Sequence, residues 1–301
     1  MIHHLTSADL STQHGFVTDL FSDPEGTDHF LNDAQIAAFE RDGFVGPISL
    51  LTETQVEALL DELDGFFDPD HPGCELWYEY HRNESNNPDN TVFHALGAWR
   101  IGPAFHDALW NPRFTRPASQ LLGGAVRFWH DQIFCKPAHH GGPIAWHQDY
   151  SYWGRTAPMN HLTCWIALDD ATEENGCIQY IPKSQRWDLL PMTDLAGDLD
   201  SIRDLLTDEQ KDCFAKPVPF EAKAGQASFH HPMLLHGSSA NRSNRPRRAM
   251  IINVILDGVR SLSDEPLLSG TPPIPNGSPL GGQFFPLLYD PASTSTPSRN
   301  P

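Results

Sequence analysis

The residues Trp146-His147-Gln148-Asp149-Tyr150 carry the sharpest chemical signal in the chain. On a β-strand, residues i and i+2 point to the same face. His147 and Asp149 would then aim an imidazole and a carboxylate at one point. A chain with 16 histidines in 301 residues yields some His-x-Asp triplets by chance, so the triplet alone also fits an aspartate pairing with a surface histidine. A second segment, Phe229-His230-His231-Pro232-Met233-Leu234-Leu235-His236-Gly237-Ser238, strengthens the signal by offering a third ligand. His236 is the first choice. His230 and His231 are its rivals, and their plainer role is a strand-end pair satisfying backbone groups. Two histidines and one carboxylate leave three positions open on iron(II), enough for a chelating cosubstrate and for O2.

An oxygenase built this way needs a fixed cationic fork for the distal carboxylate of 2-oxoglutarate, and a guanidinium has that bidentate geometry. Arg247 opens the run Arg247-Arg248-Ala249-Met250-Ile251-Ile252-Asn253-Val254. The competing reading is a solvated cluster, because Arg242, Arg245, Arg247 and Arg248 lie close together. If 247–256 is one strand, Arg247 shares a face with Ala249, Ile251 and Asn253, and Arg248 with Met250, Ile252 and Val254. Both faces carry apolar residues, so the burial pattern alone does not choose between the arginines.

The elements that must position these groups fall into two halves. A helix reads from about Asn32 to Arg41, capped by Asn32 or Asp33 and ended by Gly43. A second opens on the capping box Thr52-Glu53-Thr54-Gln55, buries Val56, Leu59, Leu60 and Leu63, and stops at Gly65. Residues 68–90 read as a long surface loop. A helical stretch over 103–122 is interrupted by Pro112 and Pro117. From Ala125 onward, β-forming segments recur at 126–135, 144–150, 162–168, 177–181, 226–230 and 248–256. Turn clusters separate them, with one helical stretch near 197–214. This order predicts a mainly β domain with flanking helices (α+β), built as an antiparallel sandwich or barrel. The expected organisation is a loose arm over 1–29, one catalytic domain over 30–265 and a Pro/Gly/Ser-rich tail over 266–301, with its TSTPSRNP end disordered.

Composition narrows the function classes. The formal net charge of −19 disfavours nucleic acid and anionic membrane as partners. It leaves room for a small anionic ligand held by a few local cations. No apolar run reaches membrane-spanning length, and the start MIHHLTSADLS lacks the features of a secretory signal. The five cysteines are scattered without a CxxC pair, which argues against a disulfide framework or a cysteine zinc site. The expectation is a soluble, cytoplasmic protein.

Taken together, the chain resembles the phytanoyl-CoA dioxygenase family of iron(II)/2-oxoglutarate oxygenases. The resemblance runs over roughly residues 30–256. It is carried by Asp42-Gly43-Phe44-Val45, His147-Gln148-Asp149, Gly176-Cys177-Ile178-Gln179-Tyr180-Ile181-Pro182-Lys183-Ser184-Gln185-Arg186, and His236-Gly237-Ser238 followed by Asn241-Arg242-Ser243 and Arg247. It implies a double-stranded β-helix, a cupin-like jelly roll with helices outside. It implies His147, Asp149 and His236 as iron ligands, and Arg247, favoured by its offset from His236, for the distal carboxylate of 2-oxoglutarate. Ser238, Trp165 and Lys136 are implied beside the same cosubstrate, and Gln132 is a weaker pocket residue. For Trp165 and Lys136 the plainer roles are a core aromatic and an exposed strand-end lysine. The family's usual Pro-Gly-Ser-His is here Pro182-Lys183-Ser184-Gln185, so no substrate contact carries over there.

The implied reaction consumes 2-oxoglutarate and O2, releases succinate and CO2, and hydroxylates an aliphatic carbon of a small molecule. Asp149 fills a coordination position, which favours hydroxylation over halogenation. A CoA thioester would need several cations, and the acidic chain makes that substrate less favoured. Tyr150, Tyr152 and Trp153, and Trp77, Tyr78 and Tyr80, could clasp a substrate or simply pack as core and lid. Arg100, Arg155 and Arg186 are candidate anion anchors. Two alternatives remain at this stage: a cupin-type metalloenzyme that does not use 2-oxoglutarate, and a non-catalytic jelly-roll binding protein.

Overall fold

The computed structural model describes residues 9–23, 29–85 and 87–293. Helix α1 (Asp33–Asp42) starts at Asn32, whose side chain accepts from the Gln35 amide while Gln35 reaches back to the Asn32 amide. It ends at Gly43, in the left-handed region at φ 85°. Strand β1 (Phe44–Ser49) follows, and Thr52 then caps α2 (Glu53–Phe66) with the expected capping box. Gly65 does not stop this helix; Phe66 is its last residue and is buried. The loop expected over 68–90 contains β2 (Glu79–His81), which pairs with β3 (Phe93–Leu96). Helices α3 (Pro103–Ala108) and α4 (Pro112–Leu122) each take a proline in the first turn, where the missing N–H costs nothing. Pro117 lies inside α4 without breaking it.

The strand-rich half holds β4 (Val126–Lys136), β5 (Ile144–His147), β6 (Thr156–Ala157), β7 (His161–Ala167) and β8 (Ile178–Tyr180). Helix α5 (Asp208–Phe214) is shorter than the stretch expected near 197–214. Then come β9 (Val218–Pro219), β10 (Gln226–His230), β11 (His236–Ser238), β12 (Arg247–Leu256), β13 (Arg260–Ser261) and β14 (Leu287–Tyr289). The large sheet runs β1-β10-β7-β12-β4-β3-β2, with β14 also on β4, and the small sheet runs β5-β11-β8-β9. Both are antiparallel and face each other as a jelly roll.

Strand alternation sorts the core into layers. Cys164, Ile166, Met250, Ile252 and Val254 pack outward under the helices. Trp165, Ala167, Ala249, Ile251, Ile178 and Tyr180 pack inward between the sheets. Trp146, Leu235, Ile202 and Phe214 cover the outside of the small sheet.

The two terminal segments differ from expectation. Residues 9–23 are tied down, since the Asp107 carboxylate accepts from the Val17 and Thr18 amides and Phe21 is buried. Leu267, Leu268, Leu280, Phe285 and Leu288 of the expected tail join the core. Polar, proline-rich composition hid these scattered anchors. The TSTPSRNP end lies outside the described residues. No helix among the described residues is long and apolar enough to cross a membrane.

Asp131 of β4 is fully buried and accepts from the Gly97 and Trp99 amides at 2.9 Å each, fixing the chain where it leaves β3. Burial pushes its carboxyl up from 3.8 to about 6. The folded state therefore keeps the proton more tightly. The stabilisation is complete below the unfolded value of 3.8 and is lost as pH rises through about 6. Relative to Asp131→Asn, wild type should lose up to roughly 3 kcal/mol of unfolding free energy between pH 4 and pH 7. Urea melts of both proteins across that range check this, and wild type gaining stability relative to Asp131→Asn as pH rises would contradict it.

Candidate functional site

Strands β5 and β11 pair antiparallel with His147 opposite His236, and their ring centroids lie 4.2 Å apart. Each ring donates Nδ1–H to the carbonyl two residues earlier, His147 to Ala145 and His236 to Leu234, both at 2.8 Å. That bond leaves each Nε2 lone pair free for a metal, as a ligating histidine requires. Burial, and then the neighbouring His147, pull His236 well below the ordinary imidazole value, which favours the neutral form.

Asp149 reaches the same point by a different route from the one expected. The strand ends at His147, and Asp149 opens a 3-10 turn over Asp149–Tyr152. Its Oδ1 lies 3.5 Å from Nε2 of both His147 and His236. The three candidate ligand atoms all fall within 4.8 Å of one another. Burial opposes its ionisation, but the imidazoles of His236, His147 and His230 hold the carboxyl well below the usual carboxylate range. Two neutral nitrogens and one anionic oxygen suit a divalent first-row cation such as iron(II). The ligand set opens on a cavity of about 230 Å³.

The rivals for third ligand separate cleanly. His230 ends β10 and points inward, with Nε2 3.2 Å from Asp149 Oδ2 and Nδ1 3.2 Å from the Tyr180 hydroxyl. It stands behind the carboxylate rather than in the triangle. His231 accepts from the Met233 amide and packs toward Phe39.

Arg247 and Arg248 also separate. Arg248 faces outward and pairs with Asp169 at 2.8 Å and Asp64 at 3.4 Å. Arg247 is buried, lines the cavity, and forms no ion pair among the described residues. Its Nε donates to the Gly176 carbonyl at 3.1 Å and its Nη2 to Ser238 Oγ at 3.4 Å, with the Trp165 ring 5.9 Å from the guanidinium carbon. Gly176 makes that approach possible. It sits at φ 77°, and any Cβ there would strike the Ser239 carbonyl. Burial lowers Arg247 to about 10, so it stays charged near neutrality.

Trp165, Ser238 and Gln132 line the same cavity. Lys136 is fully buried behind it, donating to Ser238 Oγ and the Ser239 carbonyl at 2.6 Å each. It therefore touches the cavity wall through Ser238. Burial, and then the nearby Arg247, push its ammonium well below the usual lysine value.

Among the other candidates, Tyr152, Trp153 and Arg155 line the cavity. Arg155 donates to the carbonyls of Pro266 and Leu267 and so holds the late segment over the mouth. Tyr150 bonds the Thr156 carbonyl, Tyr80 bonds the Phe66 carbonyl, and Trp77 bonds His71, all as packing. Tyr78 is core. Arg100 pairs with Asp9, and Arg186 lies near the end of α1. Sequence reading passed over Thr163, Asn253, His130, His94 and Glu79. Thr163 shares the inward parity of Trp165, and Asn253 that of Arg247, so the same period-2 argument contained both.

The phytanoyl-CoA dioxygenase (PhyH) family model matches residues 39–249. L-proline trans-4-hydroxylase of Streptomyces griseoviridis is 32% identical over 163 residues, 47% of this chain and 59% of that one. Ectoine dioxygenase of Bordetella parapertussis is 26% identical over 232 residues, 71% of each chain. The match thus spans roughly three fifths to seven tenths of these relatives. In fold, the chain is similar to the non-heme alpha ketoglutarate dependent carbocyclase SnoK of nogalamycin biosynthesis, with a TM-score of 0.70, 24% identity, and coverage of 86% of this chain and 97% of that one.

Replacing His147, Asp149 or His236 singly by Ala should weaken Fe(II) binding by at least about 100-fold while the fold is retained. His231→Ala should leave binding near wild type. Anaerobic Fe(II) titration with circular dichroism of each variant checks both statements. Loss of binding in His231→Ala with retention in His236→Ala would overturn the assignment.

Proposed function

The chain belongs to the phytanoyl-CoA dioxygenase family of iron(II)/2-oxoglutarate oxygenases, and from that premise we propose that it hydroxylates an aliphatic carbon of a small polar molecule. One observation carries the reading: the His147, Asp149 and His236 set opens on the same cavity as a buried guanidinium, Arg247, that forms no ion pair among the described residues. The family match supports this reading over the cupin-type and non-catalytic alternatives.

Held by His147, Asp149 and His236, iron(II) would supply the oxidising chemistry by which 2-oxoglutarate and O2 are converted to succinate and CO2, with one oxygen atom passing to the substrate carbon. The chain's own residues bind and orient. Arg247 receives the distal carboxylate as a two-toothed donor, with the Trp165 face beside it. Lys136 holds Ser238 Oγ toward the same carboxylate. The inward aromatic rings exclude water from the reacting carbon.

Substrate size and charge follow from the lining. A cavity of about 230 Å³ falls below the ~300–1,000 Å³ of sites for drug-sized ligands. Arg155 and Glu79 offer opposite charges beside the rings of Trp129, Tyr152 and Trp153. Such a lining suits a compact molecule carrying both charges, of the kind that proline and ectoine exemplify in the names of two relatives.

Two measurements test the reading. With 18O2 and a turned-over substrate, succinate should form alongside a product carrying one labelled oxygen; an unlabelled product, after correction for exchange, counts against hydroxylation. Removing one partner of a buried charge-assisted contact costs about 2–5 kcal/mol, and each ~1.4 kcal/mol is tenfold. Arg247→Ala should therefore raise the 2-oxoglutarate requirement by at least about 30-fold, and Arg247→Lys should also be poor, because an ammonium cannot form the fork. Arg248→Ala should change it only severalfold. The 2-oxoglutarate dependence of succinate formation in the three variants decides this.

A further inference from the structure

Behind the metal-facing oxygen of Asp149 lies a chain of hydrogen bonds whose direction can be worked out by counting protons. Thr163 Oγ1 lies 2.6 Å from Asp149 Oδ2 and 2.9 Å from the amide end of Asn253. The other end of that amide lies 3.3 Å from His130 Nδ1 and 3.4 Å from Gln132 Oε1. A threonine hydroxyl has one proton. A carboxylate only accepts, and a 2.6 Å contact is the length of a charge-assisted O–H···O bond. Thr163 therefore gives its proton to Asp149 and has only lone pairs left for Asn253. The neighbouring amide atom of Asn253 must be the donor, Nδ2, with its oxygen turned toward an N–H at His130 Nδ1 and toward Gln132, whose amide is then reversed in the same way so that its nitrogen donates. The nitrogen and oxygen ends of an amide are told apart only by such bonding logic.

We propose that Asn253 and Thr163 are positioning residues, a one-way donor relay from the cavity wall that restrains Asp149 Oδ2 and leaves Oδ1 as the single oxygen offered to the metal. His230 Nε2, on the same oxygen, completes the restraint. The proposal rests on the metal-site reading above and adds a direction to it. Neither Thr163 nor Asn253 meets the metal. Both are buried, on adjacent strands β7 and β12, at positions paired in register.

The test measures Co(II) affinity and the visible ligand-field spectrum anaerobically, for wild type and for Thr163→Val, Thr163→Ser and Asn253→Asp. Thr163→Val keeps the shape and removes the hydroxyl. It should weaken binding about 10- to 100-fold, as loss of a partner behind a ligand does, and shift the spectrum toward two-oxygen ligation by Asp149. Thr163→Ser should restore both to within about threefold. Asn253→Asp offers Thr163 an acceptor where the relay needs a donor, and should weaken binding as Thr163→Val does. If the amide pointed the other way, that variant would bind at least as tightly as wild type, because it adds negative charge; this result overturns the relay. Wild-type affinity and spectrum in Thr163→Val would overturn it as well, with the metal site itself intact. Wild type failing to bind Co(II), by contrast, would overturn both the relay and the site beneath it.

Discussion

The site depends on one register. Strand β11 is only His236–Ser238, yet it pairs with β5 on one side and β8 on the other, and this pairing sets His236 opposite His147. A slip of one residue in β11 would turn His236 to the outer face of the small sheet, among Trp146 and Leu235. Gly237 packs closely against the Ile144 carbonyl and Trp146, where a Cβ would lie 3.0 Å from the carbonyl oxygen and crowd the pairing. The bonds from each Nδ1 to a carbonyl two residues earlier then lock the rings to the same backbone that sets their spacing. The spacing of the two imidazoles is thereby a property of the sheet, and Asp149 is added from the 3-10 turn that follows β5.

The electrostatics are a second expression of the same design. The chain carries a formal net charge of −19, yet its barrel interior buries Arg247 and Lys136, whose bonding partners are neutral carbonyl and hydroxyl oxygens. A buried cation without a counter-ion is unfavourable, and an anionic ligand in the cavity would relieve Arg247 directly, with Lys136 reaching it only through Ser238. The acidic exterior repels bulk polyanions, so the interior cations are reserved for a ligand small enough to enter.

Much of this was legible in the sequence, for definite reasons. A cap at Asn32 or Asp33 marked α1 and a capping box marked α2, because cap residues act within four positions of one another. The long inward and outward alternation of β12 marked a strand, but parity left Arg247 and Arg248 undecided. The family resemblance favoured Arg247 by its offset from His236, and the physical difference lies in three dimensions, where Asp169 and Asp64 pair with Arg248 outside. Asp149 came from an argument about strand periodicity that does not apply to it, because the chain leaves the strand after His147. Short strands such as β2, β11 and β14 gave no local signal; partners far along the chain create them. The segment after 265 read as tail because its anchoring leucines are spaced too irregularly for either helix or strand period.

That late segment has a wider consequence. Leu267 and Leu268 line the cavity from a stretch that reaches it over the outside of the barrel, held there by two bonds from Arg155 to main-chain carbonyls. The bonds go to backbone oxygens, so they do not depend on side-chain identity at 266 and 267, where the remaining constraint is the packing of Leu267. The ligand set and the cation wall, by contrast, sit on paired strands where each residue answers to several neighbours. Drift in the strap thus alters what fits without disturbing what reacts. An enzyme built this way can diversify its diet by revising a few loop positions while its oxidising machinery is inherited unchanged.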